Sequence, residues 1–288
     1  MPKVILVPVT GTSDDTAVLG TALAAARLFD SHLVALHVRP DVRREIATMA
    51  SVDMGVTAGL DTMIADLEAQ SEAREQAAMQ AWNAFRTANA ITLADSPGAP
   101  GVTGEWRTEV GNEADWLAEH GRTSDLVIAG RGREGGLVAM DVLEAALMDS
   151  GKPLIVAPDQ APAGLDGPVV VAWKNTRESA KGVAAALPFI RKGSKVVILT
   201  VPESADADPD PSPARLAAAL RWHNTVEIKV LPRGSAEPVE VLMNAARDAK
   251  ATLLVMGGYG HTRLREAVFG GFTRAVLENA PIPVLMAH

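Results

Sequence analysis

The apolar positions of this chain fall into short, nearly continuous Val/Ile/Leu runs separated by longer alanine-rich stretches. Runs stand at KVILVPV (Lys3–Val9), HLVALHV (His32–Val38), DLVIAG (Asp125–Gly130) and KPLIVAP (Lys152–Pro158). Others stand at GPVVVAW (Gly167–Trp173), KVVILTV (Lys195–Val201), TLLVMG (Thr252–Gly257) and IPVLMAH (Ile282–His288). Runs that do not alternate with polar residues are the pattern of parallel strands buried on both faces. Ala17–Phe29, Ser179–Ile190 and Ala236–Ala249 lie between them and read as helices. Alternating β and α elements with short connections predict a doubly wound parallel α/β sheet with right-handed crossovers. Ligands on such sheets bind beyond the carboxyl ends of the strands, where the strand order reverses.

The runs also repeat in order. Lys3–Thr12 (KVILVPVTGT) matches Gly167–Thr176 (GPVVVAWKNT), and the three later runs of each half match in turn, which is the pattern of a duplicated domain. The boundary falls in the Pro/Gly-rich segment Asp159–Gly167, giving domains 1–158 and 168–288. Offsets between matched runs are 164 and 163 residues for the first two pairs, then 127 and 130 for the last two, so the first half carries about 36 additional residues between its second and third strands. Leu60–Ala90 fits that length and is rich in Ala, Glu, Gln, Met and Arg. It predicts a long helix lying over the domain through Met63, Leu67, Met79, Trp82 and Phe85.

Charge changes the picture more than composition does. The chain has 288 residues, no cysteine, 4% aromatics and a net charge of −8. Thiolate chemistry is excluded, and neither a basic face nor stacking rings are present for nucleic acid. No uncharged apolar stretch is long enough to span a membrane. The start, MPKVILVPVTG, has no signal-peptide pattern, so a cytoplasmic protein is the expectation. The charge is uneven. Residues 1–160 hold 12 basic and 23 acidic side chains, a net of −11, whereas residues 161–288 hold 15 and 12, a net of +3.

The second half also contains the richest loop, GGYGHTRLREAVFGGFTRAVLENAP, from Gly257 to Pro281. It follows the strand ending at Met256 and leads into a helix expected over Phe272–Asn279. Gly257, Gly260, Gly270 and Gly271 let backbone come close to a ligand, and a glycine pair at a helix start leaves first-turn N–H groups open to an anion. His261, Arg263, Arg265 and Arg274 add positive charge nearby. A glycine-rich turn also serves simply to pack a helix on a strand, and spacing alone does not separate the two uses.

The spacing Gly257-x2-Gly260-x9-Gly270, between an apolar strand and a closing PIPVLMAH strand, resembles the universal stress protein family over nearly the whole chain. The resemblance implies two tandem Rossmann-like, doubly wound five-stranded parallel sheets. It also implies an adenine nucleotide, ATP above all and with Mg2+ when it is ATP, lying across the strand ends. Phosphates would rest on Gly257, Gly260, Gly270, Gly271 and the helix start at Phe272 and Thr273, beside Met256, His261 and Arg263. Adenine and ribose would contact Ala172, Trp173 and Lys174 at the first strand end and Val201 at the second. The family would pair its domains through their last strands, here Leu154–Ala157 with Val284–Ala287 as an intrachain pseudo-dimer, with a further homodimer left open.

The sequence departs from the family pattern at two positions. Lys174, with Thr10 in the first half, stands where nucleotide-binding members usually carry an acidic residue, and Gly271 stands where they carry Ser or Thr. Lys174 can pair with a phosphate but cannot accept a ribose hydroxyl; it can equally be a solvated loop lysine. In the first half, Gly130 is followed by RGREGGLVAMDVLEAALMDSGKP, in which no glycine pair opens the following helix. Asp141 and Glu144 have capping-box spacing there, which would place carboxylates where a phosphate would sit. That half is expected to be structural or regulatory, with Arg131 and Arg133 the remaining anion-binding candidates.

Reactive constellations are missing. The six histidines lack metal-ligand spacing, there is no G-x-S-x-G, H-E-x-x-H or G-K-[ST] segment, and Asp206, Asp208 and Asp210 lack an EF-hand's glycine and glutamate. At most slow ATP hydrolysis is expected. The sequence therefore supports a nucleotide-binding stress-response sensor or regulator acting on protein partners. The alternative is a nucleotide-independent scaffold or chaperone-like protein with a vestigial site.

Overall fold

The structure, a computed structural model, describes residues 1–50, 60–131, 133–134, 137–138, 140–200, 210–231, 237–258 and 271–288. The first half runs β1 (Val4–Pro8), α1 (Asp15–Phe29), β2 (His32–Arg39), α2 (Val42–Ala50), α3 (Leu60–Ala88), β3 (Thr92–Leu93), β4 (Thr103–Val110), α4 (Glu113–Arg122) and β5 (Leu126–Ala129). It closes with the short pair β6 (Arg133–Glu134) and β7 (Leu137–Val138), then α5 (Met140–Met148) and β8 (Leu154–Val156). The second half runs β9 (Val169–Ala172), α6 (Arg177–Lys192), β10 (Val196–Thr200), α7 (Ser212–Leu220), β11 (Val226–Val230), α8 (Pro238–Asp248), β12 (Leu253–Gly257), α9 (Gly271–Asn279) and β13 (Val284–Ala287).

The main strands form one continuous sheet in the order β11-β10-β9-β12-β13-β8-β5-β1-β2-β4-β3. Outward from the centre, each half repeats one winding: its last strand, then the strand before that helix, then its first, second and third long strands. Every neighbouring pair in this sheet is parallel except the central one, where β13 meets β8 antiparallel with Val284 opposite Val156 and Met286 opposite Leu154. The five-strand winding expected for each half is present. The two windings merge into one sheet of 11 strands, because the last strands pair and the first half adds β3 at its outer edge.

Alternate residues of the strands feed two cores, as strand geometry requires. Ile5, Val7, Val169 and Val171 pack under α1, α3, α6 and α7, with Phe29 of α1 edge-on to Phe189 of α6 at 5.0 Å between ring centres. Leu6, Val127, Val170 and Leu254 pack under α4, α5, α8 and α9. Local signals agree with these elements. Thr176 caps α6 by accepting from the Ser179 N–H, Asn112 caps α4 in the same way, and Pro238 opens α8.

The inserted helix is α3, and its buried face is only partly the one expected: Trp82 is buried and Phe85 packs against the core, whereas Met63, Leu67 and Met79 are exposed and Ser71 and Ala78 are buried. Small residues let the helix come close to the sheet edge, and Trp82, its largest buried residue, has a matching seat. A Cβ on Gly104 of β4 would stand 2.8 Å from the indole ring. No helix among the described residues is long and apolar enough to cross a membrane.

Arg131 ties the halves together. It is 5% exposed, donates from Nη1 to Asp159 Oδ1 at 3.1 Å and to the Glu278 carbonyl at 3.3 Å, and from Nη2 to the Ala280 carbonyl. These are the carbonyls at the end of α9, so a first-half arginine closes a second-half helix. Arg131, an anion-binding candidate by sequence, is engaged in this contact. Arg131→Ala leaves those carbonyls without their charged donor, and equilibrium denaturation should show a loss on the order of 2–3 kcal/mol.

Candidate functional site

In the second half the strand order reverses at β9, which has β10 on one side and β12 on the other. In a doubly wound sheet this switch, beyond the carboxyl ends of β9 and β12, is where a ligand crevice is expected, with α6 following β9 and α9 following β12. Three of the sequence-picked residues at these ends are in place. Ala172 closes β9, while Met256 and Gly257 close β12, Met256 with its side chain in the core. Val201, Gly260, His261, Arg263, Arg265 and Gly270 lie outside the described residues.

Trp173 follows Ala172 and is committed to the fold. Its backbone N–H donates to the Leu199 carbonyl at 2.8 Å, continuing the ladder with β10. Its indole Nε1 donates to Ser212 Oγ at 2.9 Å, and that hydroxyl in turn donates to Asp210 Oδ2 at 2.6 Å. The Ser212 hydroxyl and N–H hold the Asp210 carboxyl below its usual range. The side chain therefore ties β9 to the start of α7, and only the residue's backbone faces the crevice chemistry. Asp210, the last of the three alternating aspartates, belongs to this tie. Lys174 is exposed on the connection to α6.

Gly257 is demanded by packing. A Cβ there would stand 2.6 Å from the Ser179 nitrogen and 2.7 Å from the Glu178 carbonyl carbon, so the first turn of α6 rests directly on the end of β12. Gly182, one turn further along α6, is held as closely against the Met256 carbonyl, at 2.7 Å. Ser179, buried at this contact, is marked in the sequence only by its spacing from the cap at Thr176.

Gly271 differs. It begins α9 one residue before the expected start, it is exposed, and a Cβ there would meet nothing within 4 Å among the described residues. The first turn of α9 contains no acidic side chain. Phe272 is 42% exposed and Thr273 partly so. Arg274 points along the helix and pairs with Glu278 at 2.9 Å, so its charge is directed to the far turn. What remains at the near turn is a set of backbone N–H groups carrying the positive end of the helix dipole.

The first half arranges the equivalent place differently. The connection after β1 turns back on its own carboxylate: Asp15, 3% exposed, accepts from the Thr10 N–H at 2.8 Å, the Thr10 hydroxyl at 3.0 Å and the Gly11 N–H at 2.7 Å. Burial raises the Asp15 pKa, opposed by those same bonds. Helix α3 lies on the turn, with its Arg74 carbonyl 2.5 Å from where a Cβ on Gly11 would be. His37 is buried below, its Nδ1 2.7 Å from the Val9 carbonyl.

At α5 the expected capping box is corrected. The helix begins at Met140, so Asp141 sits inside the first turn and is not its cap. The carboxylate still occupies the positive end of that helix. Burial raises the pKa of half-buried Glu144, with Asp149 and Asp141 adding repulsion. Two surface cavities are present, the first away from the strand carboxyl ends and the second at the carboxyl ends of β2 and β4. One, of about 330 Å³, is bounded by Met243, Arg247, Lys250 and Ile282; the other, of about 230 Å³, by Arg39, Asp41, Glu68 and Ser71. Among the described residues no group of three or more His, Cys, Asp or Glu could hold a metal.

A fold of duplicated, doubly wound parallel halves joined through their last strands, with glycines at the strand-to-helix turn, defines the class. The universal stress protein family model matches residues 1–158 and again 167–288. The chain belongs to the universal stress protein family as a tandem two-domain member. A universal stress protein from Archaeoglobus fulgidus is similar in structure with a TM-score of 0.68 at 16% identity, over 99% of this chain and 97% of that one. A putative universal stress protein from Pseudomonas aeruginosa is similar with a TM-score of 0.55 at 16% identity, over 99% and 93%. No curated protein matches the chain.

The two strand-end glycines respond differently to a methyl group. Gly257→Ala drives a Cβ into the α6 backbone and should lower stability by about 1–3 kcal/mol in urea denaturation. Gly271→Ala meets open space and should change stability by less than about 1 kcal/mol, in the stabilising direction.

Proposed function

We propose that this stress protein binds an adenine nucleotide, ATP above all, in the second-half crevice, and that the first half has no such site. The observation that carries the reading is the start of α9. It is glycine-opened, free of carboxylates and set beyond β12 beside the switch in strand order, in the half whose net charge is +3 by 15 basic against 12 acidic residues. Donors at Gly271, Phe272 and Thr273 would take the phosphates. Gly260, His261, Arg263 and Gly270 of the preceding segment would add to these donors, with Met256 and Gly257 at the end of β12 beneath them. Adenine and ribose would lie along Ala172, the Trp173 backbone, Lys174 and Val201. A Mg2+ ion would enter with ATP and share its phosphates. Hydrolysis would be at most slow, because the sequence contains no motif that pairs a base with a nucleophile. The bound state would be read by protein partners as a stress signal.

The same geometry argues against a nucleotide in the first half. There Asp15 already takes the turn's N–H groups, α3 lies on Gly11, and Asp141 occupies the start of α5.

Isothermal titration with MgATP should give one site per chain. Thr273→Asp, which imports the first-half arrangement into the first turn of α9, should weaken binding at least about tenfold while leaving the melting temperature unchanged or higher, because an acidic residue suits a helix start. Absence of both heat and thermal shift at millimolar ATP would leave the nucleotide-independent scaffold as the reading. Nucleotide released from the purified, denatured protein and seen by mass spectrometry would exclude that scaffold.

A further inference from the structure

We infer that β11, the outer edge of the second half, pairs antiparallel with β11 of a second copy of this chain, making a two-fold dimer whose sheet is continuous across both protomers. The two ends of the sheet differ in how they are finished. At the first-half end, β4 is followed by β3, which pairs with Thr103 and Gly104, and by α3, whose Trp82 packs against Gly104. At the other end, β11 is last in the order, and no described element pairs with its outer side.

The direction of its backbone groups follows from the ladder with β10. The Val196 N–H donates to the Thr225 carbonyl, and the Leu231 N–H to the Thr200 carbonyl. Odd-numbered residues of β11 therefore turn their N–H and C=O groups inward, and Val226, Ile228 and Val230 present theirs along the free edge. An edge of this kind is a template for another strand.

The side chains specify which strand. β11 reads VEIKV, with Val226 and Val230 placed symmetrically about Ile228, and Glu227 and Lys229 symmetric in position but opposite in charge. A two-fold axis through Ile228 puts Ile228 opposite Ile228 of the second copy, and Val226 opposite Val230. These are the residues with outward N–H and C=O groups, so they fall in the hydrogen-bonded positions of the antiparallel ladder. Glu227 and Lys229 then fall in the non-hydrogen-bonded positions, where facing side chains are closest, and each meets the opposite charge. A shift of two residues in either direction brings Glu227 against Glu227 or Lys229 against Lys229, and parallel pairing in register does both. Only the centred antiparallel register matches charge, apolar side chains and hydrogen-bonding positions together. A lysine on an edge strand ordinarily blocks pairing, but here it has a complementary acid in a second copy of the same sequence.

Exposed apolar surface accompanies the edge. Val230 is 64% exposed and Ile228 37%, and Trp222, on the turn between α7 and β11, is 88% exposed. Antiparallel pairing brings the Trp222 end of one strand to the Val230 end of the other, so each would cover the other's apolar surface. Glu227 already reaches Lys195 at 2.9 Å, which holds it extended on its side of the sheet.

Sedimentation velocity of the full chain from about one to several hundred micromolar tests the pairing. The expected results are a concentration-dependent dimer, at least about tenfold weaker self-association for both Lys229→Glu and Glu227→Lys, and a restored dimer when the two variants are mixed, since each supplies the charges the other lacks. Hydrogen exchange on the unmodified protein gives an independent reading: the Val226, Ile228 and Val230 amides should become protected as concentration rises. A monomer throughout the range overturns the inference. So does a dimer that leaves those amides unprotected, or one that neither substitution weakens.

Discussion

The antiparallel contact between β8 and β13 sets the geometry of everything else in this protein. It is short, pairing Leu154, Ile155 and Val156 with Met286, Leu285 and Val284, and all of these side chains are buried to within 1% exposure. Without it each half would end in an apolar edge strand, the arrangement most prone to uncontrolled association. With it, two parallel half-sheets become one, and because the seam is antiparallel their strands point in opposite directions. The carboxyl ends of β1 and β5 therefore emerge at one end of the sheet, and those of β9 and β12 at the other. Contacts across the seam follow from the same constraint. Arg131 reaches the end of α9, Phe29 meets Phe189, and Gly258 is left without a side chain where Leu147 of α5 stands 2.8 Å from its would-be Cβ.

Because the seam is central, the two crevices are remote from each other and have been free to differ. The difference begins with the inserted helix. Once α3 lies over the turn after β1, Gly11 must accommodate a backbone carbonyl at 2.5 Å from its missing Cβ, and the turn's donors must be satisfied from within, which Asp15 does. The corresponding position of the second half is Ser179, buried and bonded to Thr176, and the carboxylate of that turn is Glu178, one residue earlier, whose pKa is lowered by its own N–H and the Thr176 hydroxyl. A buried carboxylate at one place and a buried hydroxyl at the other distinguish the two turns. The two halves thus share a winding and differ in how the turn after the first strand is satisfied.

Much of this was legible in the sequence, and the parts that were not share a physical reason. Apolar runs, their order and their offsets located the main strands, the duplication and the inserted helix, because strand burial on both faces leaves a strong compositional mark. β3, two residues long, leaves none. The buried face of α3 follows the large apolar residues only at Trp82 and Phe85. Met63, Leu67 and Met79 proved exposed, and the helix approaches through Ser71 and Ala78 with a single tryptophan. Arg131 read as a candidate anion ligand, since nothing local reveals that its partners are carbonyls at Glu278 and Ala280, well over a hundred residues away. Trp173 was placed correctly at the strand end, but its indole is turned to Ser212, a partner 39 residues on that no spacing rule connects to it.

The glycine pattern that led to the family has two separable causes, and only one of them concerns a ligand. Gly257 is required by the approach of α6 whether or not anything binds, since any Cβ would overlap backbone at Glu178 and Ser179. A tandem protein that had abandoned nucleotides would still need that residue. Gly271 has no such requirement among the described residues: nothing surrounds its would-be Cβ, and glycine within a helix costs roughly 0.5–1 kcal/mol relative to alanine. The phosphate proposed at the start of α9 is therefore supported by Gly271, for which the described packing gives no need, and not by Gly257, which the packing of α6 already explains.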